Sequence, residues 1–495
     1  MFIKQDQDEI IGFLKDASNM PGGWAERVYF PECEDDVVAA LAECRARGTP
    51  ATAAGAGTGL AGGRVPFGGA VIATSRMNAI LRIDADRMRG VVQPGVILGE
   101  FQQETERLDL LYPPDPTERT CFMGGTVATN SSGARTFKYG PTRAFIERIR
   151  VILADGDRME IPRGRFIADG YNLSVRTEAG RVIELEVPRY TMPPIKHAAG
   201  YYARPGMDAI DLFIGSEGTL GIVTEIETRL IPLPRRLFSG IVFFADEPST
   251  LAFVDEARER STASRTGAAA GDIEARALEY IDWNALNLIR DRFPSIPDTA
   301  HGGAIWFEQE TTEESEERLL ELWYELIVKH AALADDSWFG IGLEDQKRMR
   351  AFRHAVPESV YEQISEHGQT KIGTDMAVPV ERFAELLAFY RAQFAEHGLR
   401  NVIYGHIGNC HLHANIFTGS PAEHELAVAV YRRLVERALA MGGTISAEHG
   451  VGKLKKPYLV AMYGEEGIAG MRRVKKALDP WGILGSGTMF DSGDS

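Results

Sequence analysis

The stretch Gly55-Ala56-Gly57-Thr58-Gly59-Leu60-Ala61-Gly62-Gly63 decides the fold. Backbone this rich in glycine takes positive φ easily and can turn several N–H groups onto one phosphate. Two familiar phosphate loops are excluded by what surrounds it. The spacing is Gly-x-Gly-x-Gly, not the Gly-x-Gly-x-x-Gly that opens a helix, and residues 70–74 read as a further strand. No Gly-Lys-Ser/Thr follows, so it is not a P-loop. Taken alone, the segment is also compatible with a plain turn-rich loop.

Two more stretches share its character. One runs from Pro113-Pro114-Asp115-Pro116 through Cys121-Phe122-Met123-Gly124-Gly125-Thr126 and Thr129-Asn130-Ser131-Ser132-Gly133 to Lys138-Tyr139-Gly140. The other is Gly215-Ser216-Glu217-Gly218-Thr219-Leu220-Gly221. Strand-like residues 149–153 and 182–187 lie between them. Glycine for close approach, with Ser, Thr and Asn for hydrogen bonds, suits a cradle for a large phosphate-bearing cofactor.

Composition narrows the class. At 495 residues the chain exceeds one ordinary core. Its net charge of −16 argues against nucleic acid or an anionic membrane as the main partner. Cys33, Cys44, Cys121 and Cys410 form no CxxC pair, which fits a reducing compartment. Neither a secretory leader nor a run of about 18 apolar residues is found. The expectation is a cytoplasmic protein without a transmembrane segment, able to dock on a membrane only through a partner.

Helices are expected over residues 1–18, 34–47, 251–260, 310–333, 380–397, 421–442 and 463–478. The acidic run in 310–333 reads as a solvated face. Strands are expected over 49–54, 237–244 and 304–309. Ile231-Pro232-Leu233-Pro234 marks a boundary. The expected domains are 1–232 for cofactor binding, 233–440 as an α+β cap on an antiparallel sheet, and 441–495 as a C-terminal helical segment returning to the cofactor.

The densest chemistry lies in Gly405-His406-Ile407-Gly408-Asn409-Cys410-His411-Leu412-His413-Ala414-Asn415 and in Ser446-Ala447-Glu448-His449-Gly450. Four of the chain's 11 histidines fall there. Imidazoles and a carboxylate at such spacing can build a divalent-metal site, a general base, or both. On a strand, His411, His413 and Asn415 point to one face, and Cys410 to the other.

The Gly-rich blocks, with Val92-Gln93-Pro94-Gly95-Val96, resemble in content and order the FAD-binding domain of the vanillyl-alcohol oxidase/p-cresol methylhydroxylase superfamily. The resemblance implies an α+β fold with a two-subdomain FAD-binding domain of the p-cresol methylhydroxylase type. It implies FAD contacts at Gly55, Gly57, Thr58, Gly59, Pro114, Asp115, Gly124, Gly125, Thr129, Asn130, Ser132, Gly218, Gly221 and Ile222. No histidine lies in residues 49–69, so FAD is expected to be non-covalent. Cys121 reads as a small buried hydrophobe.

The C-terminal blocks resemble the FAD-linked oxidases, the family of glycolate oxidase catalytic subunits, D-lactate dehydrogenases and D-2-hydroxyglutarate dehydrogenases. That family carries Gly-His-x-Gly-Asp-Gly-Asn-Leu-His-x-Asn and Glu-His-Gly. The resemblance implies His406, His413 and Glu448 as ligands of a divalent metal (Zn²⁺, or Mn²⁺ or Fe²⁺) and His449 as catalytic base. Asn415, Arg353 and Lys371 become substrate contacts. The chain departs from the motif at Asn409-Cys410-His411, leaving His411 as ligand, substrate contact or outward residue. It departs again at Gly485-Ser486-Gly487-Thr488, in a loop that normally lies near the flavin.

The reaction so implied is oxidation of a D-2-hydroxy acid to the 2-keto acid, with hydride passing to flavin N5. The hydroxyl proton leaves to a base, a metal lowers its pKa, and cations fix the carboxylate. The partners expected are the small hydroxy acid and an electron acceptor or partner redox subunit, with a homodimer as the assembly. Three other readings share these residues. They are oxidation of another alcohol or non-redox alkyl transfer on the same fold, a non-catalytic flavin-binding subunit, and a flavin-free metallohydrolase.

Overall fold

The computed structural model describes residues 1–366 and 372–491, and the chain divides into two compact units. The first comprises residues 1–132, 141–233 and 444–495, and the second residues 133–140 and 234–443.

In the first unit, the strands Arg27–Phe30 and Ala51–Ala54 flank Ala70–Ala73 in parallel, and Phe2–Lys4 adds antiparallel at one edge. Parallel pairing needs a crossover, which the helix Glu34–Arg47 supplies. Its Val37, Ala40, Leu41 and Cys44 pack on Ala51, Ala70 and Ile72, and Gly48 ends it at φ 62. At the other edge Ala51 takes a bridge from Leu484, with Ala51 N–H donating to Ile483 O at 2.7 Å. A five-stranded antiparallel sheet follows, with Ile222–Arg229 between Arg89–Val92 and Ile146–Ile152. Ile222, Thr224, Ile226 and Thr228 alternate inward along its central strand.

The second unit is built on a seven-stranded sheet. Its order is Trp338–Gly340, Arg236–Phe244, Gly303–Thr311, Ala275–Ile281, Arg400–Gly405, His413–Phe417 and Ile372–Gly373. Each neighbouring pair is antiparallel. Ala275–Ile281 is buried throughout. The helices Glu247–Arg265, Glu316–Lys329, Leu343–Glu366, Val380–Glu396 and Pro421–Ala440 accompany this sheet.

Two expected helices are corrected. Residues 1–18 hold the strand Phe2–Lys4, the short helix Gln7–Ile10 and a 3₁₀ turn at Ile11–Phe13. Pairing with Arg27–Phe30 outweighs helical propensity there, and Asp6 caps the later start. The helix expected over 310–333 begins only at Glu316, because the strand Gly303–Thr311 runs on through Glu310. Glu310 does not join a solvated helix face. It accepts from Lys138 Nζ at 2.8 Å and from the Tyr139 hydroxyl.

Candidate active site

The Gly-rich segments of the first unit shape a cradle by close backbone packing. A Cβ at Gly57, at φ 86, would lie 2.3 Å from Arg64 Nη1, and Arg64 itself donates to Gly55 O at 2.8 Å. A Cβ at Gly124 would strike Pro94 at 2.6 Å, and one at Gly221 would strike Val151 Cγ1 at 2.3 Å. Gly125 behaves differently, since a Cβ there would meet nothing within 4 Å. Nearby, Ser132 Oγ is buried and has no hydrogen-bond partner among the described residues. Open space at a glycine and an orphaned buried hydroxyl fit a bound cofactor with acceptor atoms.

The remaining expected FAD residues have visible local work. Asn130 sits at φ 49 and accepts from Arg143 N at 2.9 Å, so its amide shapes the loop. Thr129 Oγ1 donates to Gly125 O at 3.1 Å. Pro114 O accepts from Gln102 Nε2 at 2.9 Å, and Asp115 follows it half-buried. Thr58 and Gly59 lie in the loop itself, Gly218 takes φ 72, and Ile222 opens the central strand. Cys121 is buried, which pushes its thiol up to about 12 and suits a packing residue.

The same unit carries the 446–452 segment. Glu217 accepts from Val451 N at 2.7 Å and from Gly452 N at 2.8 Å. Burial raises its carboxyl to about 7 despite those two donors. Ser446 Oγ donates to Gly450 O at 2.8 Å and accepts from Lys455 Nζ at 3.1 Å. Glu448 Oε2 accepts from the buried Lys196 ammonium at 2.6 Å, and His449 Nε2 lies 3.6 Å from Glu448 Oε1. Lys453 reaches Gly63 O at 3.1 Å and Thr488 Oγ1 at 2.9 Å, tying the C-terminal loop to the first Gly-rich loop.

In the second unit three histidines converge. The strand Arg400–Gly405 ends at a glycine with φ 130, where a Cβ would lie 2.9 Å from His413 Cδ2. A 3₁₀ turn at Ile407–Asn409 follows, and Arg258 donates to Gly408 O at 3.2 Å and Ile407 O at 3.1 Å. Cys410 then takes φ 53, and the chain returns as His413–Phe417. The ring centroids stand 5.4 Å apart for His406 and His411, 5.5 Å for His406 and His413, and 4.5 Å for His411 and His413.

Each ring lies against a fixed acceptor. His406 Nδ1 is 2.6 Å from Glu279 Oε1, His413 Nδ1 is 3.2 Å from Thr374 O, and His411 Nε2 is 3.0 Å from Asp375 Oδ1. Imidazoles that bind metals are commonly held in this way. Metal–nitrogen bonds near 2.0–2.1 Å imply centroids about 5 Å apart around one ion. The observed separations therefore fit a divalent metal.

Arg353, expected to grip a substrate carboxylate, places Nη2 3.0 Å from Glu279 Oε2. Burial would raise the Glu279 carboxyl, but His406 and Arg353 together hold it down to about 2. Asn415 is fully buried, and neither amide atom has a hydrogen-bond partner among the described residues. Cys410 points among Met376, Phe383, Leu386, Leu387, Tyr390 and Leu412, and burial lifts its thiol to about 11. Lys371 lies outside the described residues.

Sequence reasoning missed Glu279, Asp375, Arg258 and Lys196. Glu279 had a signal, as the one carboxylate in the apolar strand Ala275–Ile281. The others become visible only through pairings across long stretches of sequence.

A glycine-walled cradle beside a buried hydroxyl, on this mixed α+β architecture, suits a large phosphate-bearing cofactor, and the family matches identify that class as the flavoproteins. Residues 245–489 match the family described as FAD linked oxidases, C-terminal domain, and residues 25–161 match the FAD binding domain. A glycolate oxidase subunit from Bacillus subtilis is 30% identical over 486 residues, covering 96% of this chain and 91% of its own. A D-lactate dehydrogenase from Anaerostipes hadrus is 29% identical, covering 92% and 87%. A D-2-hydroxyglutarate dehydrogenase from Stutzerimonas stutzeri is 26% identical, covering 98% and 95%. In fold, substrate-bound p-cresol methylhydroxylase superposes with a TM-score of 0.72 at 15% identity, covering 100% of this chain and 95% of that one. The chain belongs to the FAD-linked oxidase family and is an oxidoreductase acting on CH–OH groups. Among the described residues no helix is long and apolar enough to cross a membrane.

Proposed function

We propose that this protein oxidises a D-2-hydroxy acid of the lactate, glycolate or 2-hydroxyglutarate class to the 2-keto acid. The observation that carries the reading is Asn415, a buried amide whose two polar atoms have no partner among the described residues. It shares a strand face with His413, in the unit that also holds the Arg353–Glu279–His406 chain. A site built to bind a hydroxyl and a carboxylate needs such donors and acceptors. The substrate class is supported by the names of the relatives.

When bound, FAD would supply the two-electron acceptor and a divalent ion would lower the pKa of the substrate hydroxyl. His406, His413 and Glu448 are the residues proposed to hold that ion, with Zn²⁺, Mn²⁺ or Fe²⁺ as candidates. His449 is the proposed base, because imidazole accepts a proton near neutrality. Asn415 donates to the substrate, and Arg353 with Lys371 orients its carboxylate. The FAD contacts proposed are those at the Gly-rich segments, from Gly55 to Ile222. All four cysteines are free thiols, in keeping with a reducing cytoplasmic setting.

The test is anaerobic reduction. Purified, yellow protein is mixed with a panel of D- and L-2-hydroxy acids and the flavin absorbance is followed. Bleaching by a D-enantiomer supports the reading. Colour that persists with every member of the panel removes this substrate class.

A further inference from the structure

We infer that His411 is a third imidazole ligand of the metal centre, and that it makes this centre richer in nitrogen than the family's two-histidine motif. The inference rests on the metal part of the proposed function and adds a residue that the motif does not supply. At this position the family motif carries asparagine, whereas this chain carries a histidine, preceded by a cysteine where the motif has glycine.

Three observations place the ring. His411 is fully buried, and its centroid lies 4.5 Å from that of His413 and 5.4 Å from that of His406. These separations bracket the spacing of about 5 Å that three imidazoles adopt around one ion. The tilts between rings are 43°, 80° and 74°, so the three rings fan out around a shared centre and no two lie flat on one another. Asp375, also fully buried, stands 3.0 Å from His411 Nε2, as Glu279 and Thr374 O stand beside the other two rings.

The preceding turn completes the argument. Cys410 holds φ 53, which a non-glycine residue adopts at a cost. Its side chain goes into an apolar pocket, and His411 follows toward the other two imidazoles. A structural role alone would not require a histidine here, because an apolar side chain fills a buried position without an aspartate to hold it.

A third imidazole adds a neutral donor to His406, His413 and Glu448, so the ion is held more tightly with its net charge unchanged. Nitrogen donors also favour Zn²⁺, Co²⁺ or Cu²⁺ over oxygen-seeking Mg²⁺ and Ca²⁺.

The test uses the FAD-loaded protein, stripped of metal with a chelator and loaded with one equivalent of Cu²⁺. Pulsed electron paramagnetic resonance counts bound imidazoles through their remote ring nitrogens. Three are expected in the parent protein and two in His411→Asn, with Zn²⁺ affinity in that variant lowered at least about tenfold in chelator competition. Two imidazoles in the parent, with Zn²⁺ affinity unchanged by His411→Asn, overturn the inference and leave the metal reading standing. A parent protein that binds no divalent ion at micromolar concentration overturns both. Retained yellow colour shows that the variant is folded, and if it is not, the parent's imidazole count decides alone.

Discussion

Glu279 holds two side chains at once, with Oε1 2.6 Å from His406 Nδ1 and Oε2 3.0 Å from Arg353 Nη2. It is almost wholly buried. Replacing it with Ala removes the buried carboxylate that both the Arg353 guanidinium and the His406 ring contact. Glu279→Ala is expected to cost about 3–5 kcal/mol in denaturant unfolding and to weaken Zn²⁺ binding by roughly 10–100-fold. Glu279→Gln, which keeps the shape, should recover part of both. Unchanged metal affinity in the alanine variant would show that Glu279 does not orient His406.

Ser132 offers a test of the flavin cradle. Its hydroxyl is buried with no partner among the described residues, so the protein without FAD loses little when it is removed. Ser132→Ala should leave apoprotein stability within about 0.5 kcal/mol and weaken FAD by roughly 5–10-fold, the worth of one hydrogen bond. Fluorescence of released FAD on dilution measures it. Equal retention in both proteins would place the cofactor away from Ser132.

His197 predicts a pH dependence. Burial, and then Arg143 and Arg204, lower its pKa from 6.5 to about 3, while Thr444 Oγ1 and the Tyr463 hydroxyl contact its two ring nitrogens. With the folded pKa depressed, the stabilisation is present above pH 6.5 and is lost as pH falls toward 3. A shift of this size is worth about 5 kcal/mol with water excluded, and partial exposure reduces it to roughly 2–3. His197→Gln should flatten the melting-temperature profile over that window relative to the parent. Parallel profiles would contradict this assignment.

Cys410 tests the cost of the turn. At φ 53, glycine relieves about 1 kcal/mol of backbone strain but forfeits a buried thiol of similar worth. Cys410→Gly is therefore expected within about 1 kcal/mol of the parent. Cys410→Val, β-branched at positive φ, should lose more than about 2 kcal/mol. Equal stability of the two variants, by thermal unfolding, would show that the backbone relaxes.

His449→Asn should slow anaerobic flavin reduction by at least about 100-fold with FAD content unchanged. A rate within a few-fold of the parent would remove His449 as the base.

Much of this was legible in the sequence because local rules governed it. The helix Glu34–Arg47 follows from acidic first-turn residues, apolar spacing and Gly48. The histidine cluster is local too, since all three rings belong to one hairpin. What could not be read arises from long-range pairing. Phe2–Lys4 is a strand only because Arg27–Phe30 receives it, and Glu310 lies on the strand Gly303–Thr311, where Lys138 pairs with it and the Tyr139 hydroxyl donates to it. Glu279 and Arg353 are 74 positions apart, and Lys196 and Glu448 are 252. No periodicity links such pairs.

The bridge from Leu484 to Ala51 also carries a consequence for synthesis. The first parallel sheet is translated long before residues 483–485, yet the Ala51 end of its edge strand is paired only when Ile483 and Leu484 emerge. Throughout elongation that edge stays open to other chains, a state that invites strand-to-strand association. Completion of the amino-terminal sheet is thus tied to a segment far downstream in the same chain. A nascent chain stalled short of residue 483 would leave the ribosome with its first sheet unsealed.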